Sequence, residues 1–144
     1  MLQKISWTRK IVTGLRKSMA HRIDYYKVFS DMFPYNIMPC DIDGILGING
    51  KFIVMEWKTT TENFKKGQLI LLKSLASQPN FSVVLIIGEA NPDKLWVTDV
   101  YRYDKETKTF KKAGYGVNYL KDLMKKWFEK AWGKPIENKK VEEL

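Results

Sequence analysis

The sequence has very little of two residue types that many metal sites and nucleophilic sites use. Cys40 is the one cysteine and His21 the one histidine in 144 residues. A lone cysteine cannot form an intramolecular disulfide, and these two residues cannot build a zinc site of cysteines and histidines. A Ser-His-Asp or Cys-His mechanism would depend on one imidazole. Metal chemistry in this chain must therefore use carboxylates, and the scarcity of cysteine favours a reducing setting.

Long hydrophobic runs are also lacking. No apolar stretch approaches the roughly 20 residues that span a bilayer. Lys4, Arg9 and Lys10 interrupt the start of the chain, where a signal peptide needs an apolar core. We therefore expect a cytoplasmic, intracellular protein with no membrane association.

Acidic residues are outnumbered, with 16 Asp and Glu against 25 Lys and Arg, so the formal net charge is +9. Residues 1–23 contain six basic residues and no acid. A positive field favours polyanionic partners, either nucleic acid or an anionic membrane surface. The acid-free start favours contacts with a DNA backbone. The candidate contacts are Arg9, Lys10, Arg16, Lys17 and Arg22.

The length and the 44% hydrophobic share suit one folded domain. We predict a single domain over residues 1–132 and a polar C-terminal tail over 133–144. Apolar spacing predicts helices over residues 6–33, either one bent helix or two, and also over 63–77 and 117–132. Strands are predicted over residues 41–48, 51–58, 81–87 and 95–103, with a short strand after a turn at 104–108. The connector 34–39, between two prolines, has room for another brief strand.

Asn49-Gly50 lies between two apolar runs, which is the strongest short-range signal for a β-hairpin. A two-residue turn there places Asp43, six residues before Asn49, nearly opposite Glu56, six residues after Gly50. Side chains alternate along a strand, so Glu56 and Lys58 share one face. The sequence therefore predicts two converging carboxylates with an amine beside them.

Two close carboxylates raise one another's pKa unless a cation lies between them, and Mg²⁺ prefers hard oxygen ligands. This chemistry suits phosphodiester hydrolysis, in which metal ions bind the scissile phosphate and lower the pKa of the attacking water. Lys58 would position that water. Gln68, near the start of the following helix, would orient Lys58, the water or the phosphate.

These residues resemble the PD-(D/E)XK nuclease superfamily and, within it, the archaeal-type Holliday junction resolvases. The likeness lies in Asp43, the hairpin, Glu56-Trp57-Lys58 and then Gln68, and it covers roughly residues 39–88. It implies an α/β, restriction-endonuclease-like core, with a mixed central β-sheet flanked by helices. It also implies that Asp43, Glu56 and the Trp57 carbonyl hold Mg²⁺, with Mn²⁺ able to substitute.

The sequence departs from that superfamily in two places. Ile42, not proline, precedes Asp43, and Asp41 competes for the same role because a register shift of two would exchange the two acids. No Glu occurs before Glu56, so Asp24, or after it Asp31, would have to supply a third acid.

The resemblance leads us to expect a Mg²⁺-dependent, structure-specific endodeoxyribonuclease that hydrolyses branched DNA in recombination and repair. A homodimer is expected, because two incisions across a junction need two active sites. The small size suits a viral or mobile-element gene. One alternative is a nickase or repair-type nuclease that acts on flaps, single strands or duplex DNA. Another is a non-catalytic nucleic-acid-binding protein, and membrane-surface binding is a third.

Overall fold

A computed structural model describes residues 23–136, and the chain divides after Pro39 into two compact units, Met1–Pro39 and Cys40–Leu144. The single nuclease domain predicted over residues 1–132 spans both units and stays a prediction. In the predicted tail, Gly133–Ile136 are exposed, and residues 137–144 lie outside the described part. The five basic residues expected to contact DNA also lie outside it.

The described part of the first unit contains one short helix, α1, at Tyr25–Phe29. It begins at Asp24, whose Oδ1 accepts a hydrogen bond of 3.0 Å from the Lys27 N–H. The prediction that helix continues to residue 33 was wrong, because Asp31 has a positive φ of 63°. A 3₁₀ turn at Pro34–Asn36 takes the place of the brief strand.

The second unit is built on one five-stranded sheet. Its elements, in chain order, are β1 Gly44–Ile48, β2 Lys51–Lys58, α2 Lys66–Ala76, β3 Phe81–Ala90, β4 Leu95–Asp104, β5 Thr109–Tyr115 and α3 Gly116–Trp132. The strand order is β1-β2-β3-β4-β5; β2 and β3 are parallel, and the other neighbouring pairs are antiparallel. The predicted α/β class, with a mixed sheet flanked by helices, is confirmed at this level.

Strand alternation divides the core between the two faces of the sheet. One face carries a buried cluster that packs with α3, formed by Ile53, Val84, Ile86, Val97, Val100 and Leu120. The opposite face carries a cluster that packs with α2, formed by Val54, Leu72, Ala76, Val83 and Leu85. On β2, the odd-numbered residues therefore face α3 and the even-numbered ones face α2.

The hairpin follows the register that its turn predicts. Asn49 and Gly50 both have positive φ, at 53° and 75°, as a type I′ turn requires. Gly44 pairs with Met55 and Ile48 with Lys51, which places Asp43 beside Glu56 at the open end of the hairpin. The first strand starts at Gly44 and not at residue 41, so it is three residues shorter than predicted.

None of the helices described between residues 23 and 136 has the length and apolar character needed to span a bilayer.

Candidate active site

Two carboxylates meet where β2 leaves the sheet. Asp43 lies just before β1 and turns its side chain toward the neighbouring strand, so that Oδ2 accepts a hydrogen bond of 2.8 Å from the Trp57 N–H. The Asp43 N–H lies 3.4 Å from Glu56 Oε2. These two contacts continue the pairing of the hairpin beyond Gly44 and Met55, but the acceptors are carboxylate oxygens of Asp43 and Glu56 instead of backbone carbonyls.

Glu56 is buried, with only 2% of its surface exposed. It shares the α2 face of the sheet with Val54, and its partner on β3 is the buried Leu85. A carboxylate in such surroundings needs hydrogen-bond donors. Glu56 receives these donors from the residue before β1 and from α2, because the backbone groups of β2 are used in the hydrogen bonds of the sheet.

Gln68 is one of those donors, and its Nε2 lies 2.8 Å from Glu56 Oε1. The reason is the periodicity of α2. Leu72 and Ala76 are the buried residues of this helix, and Gln68 lies one turn before Leu72 on the same stripe. The apolar contacts that hold α2 against the sheet therefore also aim Gln68 at Glu56.

Lys58 follows Glu56 on the same strand face. Its Nζ lies 3.7 Å from Glu56 Oε1, and the Lys58 side chain is 26% exposed, against 3% for Glu56. The amine therefore has solvent on one side and the buried carboxylate on the other. That position allows Lys58 to contact a bound anion or a water molecule.

The electrostatics of Glu56 reflect this environment. Burial raises the pKa of Glu56 to about 7, and the Asp43 carboxylate acts in the same direction through hydrogen bonding and charge repulsion. The Asp43 N–H and the Lys58 charge lower the pKa, but by less. Near neutral pH, Glu56 is therefore partly protonated, and a cation between the two carboxylates would displace that proton.

The donor set fits a hard divalent cation. Asp43 and Glu56 supply carboxylate oxygens, and the N–H and C=O of one strand residue point to the same side, so the Trp57 carbonyl faces the Asp43 side of β2. Among residues 23–136, no three side chains of His, Cys, Asp or Glu gather in a way that could hold a metal ion. Mg²⁺ needs no such cage, because it is commonly held by one or two carboxylates together with waters and substrate phosphates.

The structure brings together Asp43, Glu56, Lys58 and Gln68 as a cluster. The competing Asp41 is exposed and lies two residues before Asp43, and it is Asp43 that contacts the Trp57 N–H and Glu56 Oε2. Asp24 belongs to the other unit, where it caps α1. Its role as a third acid stays a prediction.

Sequence reasoning missed three contacts of the site: the Trp57 N–H with Asp43 Oδ2, the Asp43 N–H beside Glu56 Oε2, and Gln68 Nε2 with Glu56 Oε1. Gln68 was expected to orient Lys58, the water or the phosphate, and its partner in the structure is Glu56. The predicted register already places Asp43 opposite Glu56, so the contact between these two could have been found. No protein-family model matches the chain, and no curated protein or solved structure matches it either. The resemblance to the PD-(D/E)XK nucleases therefore stays a prediction.

Proposed function

We propose that this chain is a Mg²⁺-dependent DNA endonuclease of the PD-(D/E)XK kind, with a restriction-endonuclease-like core, that cuts branched DNA. One observation supports the proposal above the others. Asp43 and Glu56 converge at the end of β2, while Lys58 and Gln68 contact the same buried carboxylate. A buried acid whose pKa is raised by burial and by a neighbouring acid destabilises a fold when it ionises, so it is more typical of a functional site than of a structural ion pair.

Asp43, Glu56 and the Trp57 carbonyl would hold the Mg²⁺. When bound, the ion supplies Lewis-acid stabilisation of the phosphate and lowers the pKa of a water molecule. Gln68 holds Glu56 in place through its 2.8 Å hydrogen bond, so it is a positioning residue. Lys58, with its partly exposed amine, would bind the scissile phosphate or orient the attacking water.

The charge of the chain supports nucleic acid as the substrate class. The net charge is +9, and two exposed lysines, Lys65 and Lys66, start the helix that carries Gln68. Positive charge beside a site for divalent cations favours a phosphate-rich substrate over a neutral one. The proposed active form is a homodimer, since each chain brings one such site and a junction needs two incisions.

The proposal is tested by incubating the full chain with Mg²⁺ and four labelled substrates: a four-way junction, a flap, a linear duplex and a single strand. We expect the junction to be cut fastest. Asp43→Asn should lower the cleavage rate at least about 100-fold, because it removes a ligand and not merely a group that orients one. DNA binding should persist, because the positive surface is unchanged.

Asp41→Asn is the matched control, since it makes the same chemical change two residues away on an exposed residue. We expect it to keep the wild-type cleavage rate. Loss of cleavage in Asp41→Asn but not in Asp43→Asn would assign the role of metal ligand to Asp41 instead of Asp43. If wild type binds all four substrates and cuts none, the chain is a non-catalytic nucleic-acid-binding protein. Equal cutting of all four would rule out the preference for branched DNA.

A further inference from the structure

A second charged feature lies at the opposite end of the sheet from the carboxylates. A cavity of about 560 Å³ opens where β2 and β3 begin, and Lys51 and Phe81 are part of its lining. One side of α3 forms a wall, and Ile53 and Val84 form part of the floor. The cavity also reaches Ala76 and Tyr103 on the α2 face, so it wraps around this end of the sheet. We call it the basic cleft.

The basic cleft is named for its charge. Its lining contains five exposed cations and one acid; the cations are Lys51, Arg102, Lys105, Lys126 and Lys130. The acid, Asp122, pairs with Lys126 at 2.9 Å. Within residues 23–136, the other four cations form no ion pair. They come from β2, β4, the turn after β4 and α3, so the fold gathers them from distant parts of the sequence.

Uncompensated cations around one cavity repel each other and attract a polyanion. The cavity volume lies in the range of sites that take up small ligands or single nucleotide units. The apolar floor belongs to the core cluster on the α3 face, and the exposed cations at the rim supply the net charge that a ligand meets. The chemistry that complements this rim is a row of phosphates.

The basic cleft is separate from the carboxylates. Lys51 and Glu56 are five residues apart on β2, which corresponds to about 17 Å at roughly 3.3 Å per strand residue. Glu56 also faces α2, whereas Ile53 and Val84, in the floor of the cleft, face α3. A phosphate held at the carboxylates therefore leaves the cleft free for another part of the nucleic acid.

We propose that the basic cleft binds the phosphate backbone of a second DNA segment, such as another arm of a branched substrate. This inference rests on the proposed function, because it assigns the cleft to the same substrate. Arg102 and Lys130 are the best residues for a test, since both are exposed and neither forms an ion pair within the described part of the chain.

The test measures binding without cleavage, in EDTA, by fluorescence anisotropy of a labelled four-way junction at several salt concentrations. The cleft variant is Arg102→Gln/Lys130→Gln. The control is Lys121→Gln/Lys125→Gln, which removes the same charge from α3 residues that do not line the cleft. Each lost phosphate contact lowers the slope of log K against log salt by about 0.9. We expect the slope for the cleft variant to fall by about 2, and that for the control to stay near wild type.

A linear duplex with the sequence of one arm provides the second comparison. We expect the cleft variant to lose less binding to the duplex than to the junction. Equal slopes for the two variants, or equal losses on junction and duplex, would overturn the inference. The inference would also be overturned if the cleft variant lost binding to phosphatidylserine vesicles while its binding to the junction stayed unchanged. Because no step needs cleavage, this result is independent of the Asp43→Asn test, which decides the nuclease proposal.

Discussion

At the scale of single residues, Glu56 lies at a position where a stable fold favours an apolar or amide side chain. It is buried next to Val54 and Leu85, and the nearby cation, Lys58, is partly in solvent. Gln68 satisfies one of its oxygens. The free energy that ionisation of Glu56 still costs in the folded chain raises its pKa. This cost can be measured without any substrate.

We predict that the metal-free protein loses stability as the pH rises from about 4.5 to about 7. The pKa of Glu56 is raised from 4.5 to about 7 in the folded chain, so the folded state binds more protons than the unfolded state in this window. The full effect above this window is about 3 kcal/mol. Urea unfolding in EDTA at pH 5 and pH 8 measures it.

The control for this prediction is Glu56→Gln, which removes the titrating group and keeps an oxygen for Gln68. We expect this variant to match wild type near pH 4.5 and to be more stable than wild type at pH 8. Mg²⁺ should raise the melting temperature of wild type at pH 8 and leave that of Glu56→Gln nearly unchanged. Parallel stability curves for the two proteins would contradict the assigned pKa.

At the scale of elements, the β1–β2 hairpin is held at both ends. At the open end, Asp43 accepts from the Trp57 N–H. At the turn, Asn49 Nδ2 lies 3.2 Å from the Ala131 carbonyl oxygen and 3.5 Å from that of Trp132. The last carbonyls of a helix lack partners within the helix, so Asn49 satisfies the C-terminus of α3 while it forms the turn.

We predict different costs for two substitutions of Asn49. Asn49→Gly keeps the positive φ and loses the hydrogen bonds to α3, so it should cost about 1 kcal/mol. Asn49→Ala loses the same hydrogen bonds and keeps a Cβ in the left-handed region without the polar side chain that lets asparagine adopt it, so it should cost about 1 kcal/mol more than Asn49→Gly. Urea unfolding of the two variants separates the contributions. Equal stability of the two would show that the turn does not need the left-handed conformation.

The contact between β3 and β4 depends on Gly88. A Cβ at this position would overlap the carbonyl oxygen of Trp96, a backbone atom that cannot rotate away. We predict that Gly88→Ala costs about 2–3 kcal/mol. Gly67→Ala is the control, since nothing lies within 4 Å of a Cβ there, and alanine in α2 should stabilise by about 0.5–1 kcal/mol. Thermal melts measure both, and a neutral Gly88→Ala would contradict the close packing.

The sequence predicted those elements whose signals are local. The Asn49-Gly50 turn set the hairpin register and so brought Asp43 to Glu56. Apolar spacing over residues 63–77 predicted the helix that carries Gln68, but the stripe of Leu72 and Ala76 that aims Gln68 at Glu56 was recognised only in the structure. The apolar spacing over residues 6–33 indicated neither the Asp24 cap of α1 nor the turn at Asp31, because Asp gives no more than a weak preference for positive φ. The contact of Asn49 with α3 joins residues 82 apart, and no local pattern reports it.

At the scale of the whole molecule, the net charge of +9 dominates long-range behaviour. We predict that changing Arg9, Lys10, Arg16, Lys17 and Arg22 to Gln weakens DNA binding about equally for all sequences. The salt slope should fall by up to about 4.5 if all five contact phosphates. Anisotropy titrations against salt, with junction and duplex DNA, provide the measurement.

The control for this prediction changes Lys73, Lys94, Lys121, Lys125 and Lys134 to Gln. Both variants carry a net charge of +4 after five cations are removed from +9. We expect the control to lose much less of the salt slope, because it keeps the acid-free segment intact. Similar slopes for the two variants would mean that net charge, and not the start of the chain, determines binding.

The burial of Glu56 also has a consequence for sequence drift. A fold that is predicted to gain about 3 kcal/mol when this carboxylate stays neutral tends to replace it where selection for the proposed cleavage is absent. If the chain is the proposed nuclease, copies of this gene that have lost cleavage should therefore change Glu56 early, to Gln, Leu or Met, while they keep the Asn49-Gly50 turn. The residue at position 56 would then serve as a marker that separates working copies from decaying ones.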